Sequence, residues 1–407
     1  MIPMEVNADL HIHSRYSAAT STQMNLLMLT RWASKKGIEL IGTGDCLHPK
    51  WLDEIRALGR IDEGTFVAGD THFVLTGEVE DMSRVHHLLI LPSISKAEEL
   101  HEKFAKYSSD ITSEGRPKIR LGGERIAEYA KEMGALFGPC HAFTPWTAMY
   151  AYFDSIKDCY GSMTSHVSFI ELGLSADSDY ADRIAELSNL TFLTNSDAHS
   201  PWPIRLAREF NRFKVDAISY EELRKAILRE EGRRAVLNIG IPPEEGKYNE
   251  SACIRCYKHY TLHECFTRKW RCTCGGKIKK GVRDRVNELA DYKTSKHPPH
   301  RPPYLRLIPL AEIIAMALDA GLNTKAVRDA WNLLIAKFGN EVTVLVDADV
   351  TQLDVVDESV RDAIVAFREG KIILHPGGGG QYGMVELPKR ARTSKSQRSL
   401  SDFSAID

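Results

Sequence analysis

No apolar run in this 407-residue chain approaches the ~18 residues of a membrane-spanning helix. The opening MIPMEVNADLHIH has neither a basic nor an apolar leader region, so no secretory signal is expected and a cytoplasmic, reducing setting is. Charge of one sign is missing too. Lys and Arg number 53 against 55 Asp and Glu, a formal net charge of −2, so any nucleic-acid surface must be local. Cysteine is scarce in the first 240 residues (Cys46, Cys140, Cys159), yet Cys253, Cys256, Cys265, Cys272 and Cys274 crowd into 22. In a reducing compartment such a crowd reads as metal ligands before disulfides. The remainder, 43% hydrophobic and 27% charged, is ordinary globular composition. The length suggests two or three domains at ~150 residues each.

The informative stretch is Asp9-Leu10-His11-Ile12-His13. Alternate strand residues share a face, so His11 and His13 project together and can hold one ion. A lone His-x-His is weak, but the theme recurs. Apolar runs at 38–45, 73–78, 85–91, 135–141, 168–171 and 191–197 carry Asp45, Glu78, His86 and His87, His141, Glu171 and Asp197, the last followed by His199. Helical periodicity fills the intervals, as in Met24, Leu27, Met28 and Trp32, with Gly37 stopping that helix. Strand–helix alternation predicts βαβ units and a parallel sheet. Seven strands with polar carboxyl ends are best satisfied by a closed or nearly closed β/α barrel, whose mouth gathers residues distant in sequence.

The candidate ligands are His11, His13, Asp45, His48, Glu78, His87, His141, Asp197 and His199. Catalytic zinc sites use about three protein ligands each, so nine suit two or three ions with Glu78 bridging. Imidazole mixed with carboxylate fits zinc, manganese or iron better than magnesium or calcium alone, with magnesium an alternative that supports activity. Two ions ~3.5–4 Å apart activate water and clamp the attacking and leaving oxygens of a phosphate ester. Phosphoester hydrolysis is the chemistry predicted. Only one of His86 and His87 can face the site. Cys46 and Cys140 read as buried fillers, and Glu171 as ligand, general base or substrate contact.

DLHIHSRYS, the GD of GTGDCLHP, GEVED, VHHLLI, the His of PCHAF and NSDAH resemble the successive motifs of the PHP (polymerase and histidinol phosphatase) domain, over about residues 5–235. The resemblance implies a distorted (β/α)7 barrel with a three-metal phosphoesterase site. By position it assigns His11, His13, Glu78 and Asp197 to one metal, Glu78, His87 and His141 to a second, and His199 to a third. In that pattern the His of HLL is the ligand, hence His87. Two positions depart from the pattern. Ala18 follows Tyr16-Ser17 where an Asp is usual, and Cys46 follows Asp45 where a His is usual; His48 stands nearby as a substitute. Asp45 and His48 then complete the cluster or move protons.

Residues 236–250 read as a linker. Cys253-x2-Cys256 and Cys272-x-Cys274-Gly-Gly follow, near the four-cysteine structural zinc pattern, with Cys265 outside the set. Ten Lys and Arg between Arg255 and Arg285, interleaved with Tyr257, Tyr260, Phe266 and Trp270, make a local nucleic-acid surface. Beyond a proline-rich connector at 297–304, Leu310, Ile313, Ile314, Val327, Trp331 and Leu334 mark helices. The HPGGGGQYG stretch reads equally as a phosphate cradle or a flexible loop. The expected domains are 1–240 (barrel), 241–290 (zinc module), 291–385 (helical) and 386–407 (basic tail). In the tail, Gln397, Leu400 and Phe403 resemble the peptide that binds the DNA sliding clamp.

Barrel, zinc module and helical domain in this order resemble the endonuclease Q family over about residues 5–385, with GDCLHP, ELGLSAD and NSDAHSPW closest. The resemblance implies a metal-dependent repair endonuclease acting on double-stranded DNA. Such an enzyme cuts 5′ to uracil, hypoxanthine, xanthine and abasic sites. The alternatives are a phosphomonoesterase of the histidinol-phosphatase type, or a non-catalytic DNA-binding repair adaptor.

Overall fold

Period-two alternation explains why the first strand, Met4–Asp9, carries Val6 and Ala8 inward, with Leu10 continuing that face. The computed structural model describes residues 3–388, so Gln397, Leu400 and Phe403 lie outside the described residues. Met4–Asp9 pairs in parallel with Leu40–Gly42, which pairs in parallel with Thr71–Glu80. Thr71–Glu80 pairs antiparallel with His86–Leu91, and that strand antiparallel with Leu136–Pro139. Ser168 N donates to Phe137 O (2.7 Å), leading to Phe169–Glu171, which pairs in parallel with Thr191–Leu193. The circuit returns through the Ile12–Ala198 bridge, where His13 N donates to Ala198 O at 3.0 Å.

One apolar cluster draws on every strand of that circuit: Val6 and Ala8, Leu40, Val74, Leu88 and Ile90, Leu136, Phe169, and Leu193. A common core fed by strands whose circuit returns to the first is consistent with the expected β/α barrel. Helix Tyr220–Leu228 seals the end beside the strand beginnings Val6 and Leu40. Residues facing the other way, such as Phe73, Leu75, Leu89 and Leu91, pack under the surrounding helices. The first of these, Leu26–Lys36, is capped by the Asn25 side chain and ends at Gly37 in the left-handed region (φ +85°), where a glycine carries no Cβ penalty.

Three expectations need correction. The sheet is mixed, because His86–Leu91 runs against both neighbours and Phe210–Val215 runs against Met4–Asp9. Residues 236–240 belong to strand Arg234–Gly240 of the main sheet, so the linker begins later. The proline-rich 297–304 segment is pinned to the barrel: buried Arg301 pairs with Asp182 (2.8 Å), and Tyr304–Arg306 adds a parallel strand to Arg234–Gly240. Prolines there preset an extended path that the tertiary contacts then hold.

Helices Leu310–Ala317, Lys325–Phe338 and Glu358–Arg368 share apolar contacts with the barrel's outer core. The hairpin Ile373–His375 with Met384–Glu386 carries the glycine run, which does not present a free amide cradle. Gly377 N, Gly380 N and Gly383 N already donate to the carbonyls of Glu244, Lys247 and Glu245. No helix among the described residues is long and apolar enough to cross a membrane.

Candidate metal centre

The site stands where strands end and the backbone bends. Asp45, His141 and Asp197 follow strands Leu40–Gly42, Leu136–Pro139 and Thr191–Leu193, and all three have left-handed φ (48°, 30°, 48°). Each such residue costs about 1–3 kcal/mol and persists only where the surroundings over-determine it. Gly173 shows how tight the packing is: a Cβ there would come within 2.5 Å of the His141 Cβ. Glu78 reaches the site because it shares the inward face of Thr71–Glu80 with Val74 and Thr76.

These elements converge on Glu78. His13 Nε2 lies 3.2 Å from Glu78 Oε2 and 3.2 Å from Asp197 Oδ1. His11 Nε2 lies 3.7 Å from Glu78 Oε1 and 3.8 Å from Asp197 Oδ1. On the other side, His86 Nδ1 and His141 Nε2 approach Glu78 Oε1 at 2.7 and 3.1 Å. His199 closes a third group with His13 and Asp197. Ligand atoms bound tetrahedrally at ~2.0–2.1 Å stand about 3.3 Å apart, close to these separations. His11 Nε2, His13 Nε2 and Asp197 Oδ1 are buried without a hydrogen-bond partner. Buried polar atoms are seldom left so, and this donor set fits divalent ions. Glu78 Oε2 faces His13, while its Oε1 stands between His11 on one side and His86 and His141 on the other.

A second layer fixes the imidazoles. Glu171 accepts from His11 Nδ1 (2.9 Å), from His141 N (2.7 Å) and from Asn195 Nδ2 (2.7 Å). Asp45 Oδ1 stands 3.1 Å from His13 Nδ1, while its Oδ2 accepts from Ser14 N, Ser14 Oγ and Ser17 Oγ. Taking Nδ1 leaves Nε2 of each ring to face the centre. Burial opposes charge on His11 and His13, yet Glu171 and Glu78 on one, and Asp45 on the other, hold both pKa values well above the ordinary. Burial likewise favours the neutral form of Asp197, but His13 and His11 keep its pKa well below the usual carboxylate range. The carboxylates thus give the pocket a field that favours positive charge.

The structure brings together His11, His13, Glu78, His141, Asp197 and His199, and it revises the others. His86, not His87, faces Glu78. His86 shares its strand face with Leu88 and Ile90 of the barrel interior, whereas His87 points outward with Leu89 and Leu91. There His87 Nδ1 meets Tyr160 Oη (3.0 Å) and Nε2 lies 3.3 Å from Asp81. Asp45 and His48 join none of the ligand groups among the described residues. Asp45 orients His13, and His48 stacks on Tyr16 with centroids 4.3 Å apart. Glu171 holds His11 and the His141 backbone, an orienting role beside the three readings left open above. Cys46 and Cys140 are fully buried, and burial pushes both thiols up; Cys46 joins none of the ligand groups among the described residues, whereas the Cys140 sulfur lies within 4.8 Å of ligand atoms of His11 and Glu171. Sequence reasoning missed Arg116, whose Nη1 is 3.4 Å from Glu78 Oε2. It comes from an irregular loop with no motif to mark it.

The second cluster is separate. Cys253 and Cys274 sulfurs are 3.6 Å apart and those of Cys256 and Cys272 3.5 Å, all four mutually within 4.8 Å. Bonds of ~2.3 Å to a tetrahedral ion would set sulfurs about 3.75 Å apart. The hydrogen bond from Tyr260 (3.0 Å) lowers the pKa of the Cys272 thiol, favouring the thiolate a metal needs. Cys265 lies in the module's small core with Tyr260 and Ile278.

A cleft of about 970 Å³ opens over His86, His141 and Asp197, with Arg84, Arg116, Arg205 and Arg208 on its walls. That is too roomy for an ion alone and suits a phosphate-bearing substrate.

Residues 309–371 match the family model described as the MJ0043 C-terminal domain. The MJ0043 protein of Methanocaldococcus jannaschii is 47% identical over 286 residues, 67% of this chain and 36% of that protein, so the match spans about a third of that relative. The YqxK protein of Bacillus subtilis is 30% identical over 94% of this chain and 99% of its own length. The crystal structure of PfuEndoQ, described as a lesion-specific endonuclease from Pyrococcus furiosus, superposes with a TM-score of 0.93 at 50% identity, covering 99% of this chain and 100% of that one. A structure of endonuclease Q with a 27-mer duplex bearing an abasic lesion at the active site gives 0.91 at 50% identity, covering 97% and 99%. With half its residues shared along nearly the full length of these structures, and a four-cysteine cluster beside a histidine–carboxylate centre, the chain belongs to the endonuclease Q family.

Proposed function

We propose that this protein is a metal-dependent DNA repair endonuclease that hydrolyses the phosphodiester 5′ to deaminated bases and abasic sites. One observation carries the reading. Glu78 sits between two histidine-bearing groups whose His86, His141 and Asp197 line an arginine-walled cleft, on a fold shared with an endonuclease Q seen bound to lesion-bearing duplex DNA.

Two or three divalent ions (zinc, manganese or iron, with magnesium able to serve activity) would supply Lewis acidity, easing deprotonation of water and neutralising phosphate charge. His11, His13, Glu78 and Asp197 would hold one ion, Glu78, His86 and His141 another, and His199 would help with a third. Glu171 and Asp45 keep the His11 and His13 rings in the tautomer that offers Nε2. Arg116, beside Glu78, is placed to donate to a non-bridging phosphate oxygen. The four cysteines would hold a structural zinc, and their basic, aromatic surroundings would add affinity for the DNA backbone. Gln397, Leu400 and Phe403 would tether the enzyme to the sliding clamp, in the cytoplasm where its thiols stay reduced.

The test is cleavage of end-labelled duplexes carrying one deoxyuridine, deoxyinosine or abasic site, with manganese or magnesium, beside an undamaged duplex. A cut 5′ to the lesion, absent from the control and abolished by D197N, is expected. Equal cutting of undamaged DNA, or release of phosphate from small monoesters with no lesion cleavage, would overturn the reading.

A further inference from the structure

Along one wall of the cleft runs a chain of contacts between cations and aromatics. Lys279 Nζ, from strand Ile278–Lys279 of the cysteine module, sits 3.4 Å from the ring centroid of Trp146. Trp146 meets Tyr248 edge-on, with centroids 6.3 Å apart at 80°. Lys247 Nζ then lies 5.7 Å from the Tyr248 ring and 5.6 Å from that of Tyr382. Trp146, Tyr248, Lys247 and Tyr382 all line the cleft that opens over His141 and Asp197.

Trp146 is the unusual member. It lies five positions beyond His141 and has φ +102°, a conformation that bulky residues avoid. Despite that cost its indole is not withdrawn into the core; the residue is 47% exposed. The Lys279 ammonium stacked over the ring fixes its orientation, while the exposed part of the indole stays open to the cleft. Backbone strain that presents an aromatic ring to a charged cleft, instead of burying it, marks a contact surface. Bases stack on such rings whatever their identity, and lysines between them match the backbone charge.

We propose that Trp146 stacks on a nucleobase flanking the lesion and so holds the damaged nucleotide out of the duplex, with Lys279 as the residue that positions the indole. This rests on the nuclease reading and adds a base-stacking subsite to it. Extrusion costs stacking and pairing energy, so a stacking residue matters when the lesion is paired and matters less when it is already unpaired.

The experiment compares wild type, W146F, W146L and K279M on one lesion placed in a fully paired duplex and in a short unpaired bubble. W146L should lose roughly tenfold or more on the paired substrate relative to the bubble, W146F should recover most of it, and K279M should fall between. An equal loss on both substrates, or no loss on either, would overturn the proposal. A second readout needs no cleavage. In a D197N background, 2-aminopurine beside the lesion should be quenched on binding, and the quench should vanish in D197N/W146L; a persistent quench counts against Trp146. Failure of wild type to cut either substrate would sink the nuclease reading instead, a separate outcome.

Discussion

His86 Nδ1 stands 2.7 Å from Glu78 Oε1, while its neighbour His87 turns away to Asp81 and Tyr160 on the opposite face of the same strand. The pair therefore separates a role at the centre from a role in the fold. H86A should lower bound metal and cut turnover by a hundredfold or more with little change in melting temperature. H87A should keep its metal content but lose on the order of 2–4 kcal/mol of stability, because it leaves Asp81 and Tyr160 with an unfilled buried site. Elemental analysis beside thermal melts decides; the reverse pattern would restore His87 to the centre.

The orienting carboxylates should act through affinity. E171Q and D45N each remove the charge behind an imidazole, and each should weaken metal binding by about 10–100-fold while the fold survives. Competition with a metal-sensitive dye measures this, and added manganese should rescue activity in part. Unchanged affinity would show that these carboxylates do not tune the rings.

In the cysteine module, C272S should release one zinc per chain and expose the module to protease, whereas C265S should keep the zinc. Zinc release after mild chelation reads both. The contrast follows from geometry, since the Cys272 sulfur lies in the four-sulfur group and Cys265 packs inside the module's core.

Stability should fall with rising pH through a carboxyl outside the centre. Burial raises Glu209 to about 8 in the folded protein, against an ordinary 4.5. The native state then binds more protons than the unfolded one, so the unfolding free energy declines from about pH 4.5 upward and levels off above about 8. E209Q, which keeps the acceptor for Ile241 N, should remove the Glu209 share of this slope, leaving that of Glu245, which burial also raises to about 8, and gain a few kcal/mol, in order of magnitude, at alkaline pH. Chemical denaturation at several pH values measures it. Parallel profiles for variant and wild type would refute it.

Much of the centre was legible along the chain because its signals are local. His11 and His13 lie two apart at a strand end, so period two puts both on one face; Asp197 and His199 repeat the spacing past the end of Thr191–Leu193, where the left-handed Asp197 makes their meeting a tertiary matter. The four sulfurs likewise follow from short Cys spacings. His86 against His87 was decided by something else. Both sit in one apolar run, and which face is inward depends on register: Glu78 pairs with Leu88 and Glu80 with His86, which carries the even-numbered residues into the barrel. The inward cluster with Leu88 and Ile90 records that choice, and neither residue announces it alone.

Residue identity and spacing along the chain are enough for the ligand types, the run of strands that carries them and the cysteine module. Tertiary structure decided what nearest neighbours along the chain cannot. It turned strand His86–Leu91 antiparallel, so that its beginning rather than its end meets the mouth. It made Asp45 and Glu171 supports for imidazoles, brought Arg116 to Glu78 across 38 positions, and set Trp146 beneath a lysine of another module. The physical reason is common to all of these. A side chain's identity fixes which bonds it can make, but burial, register and the partners that packing delivers fix which of those bonds it does make.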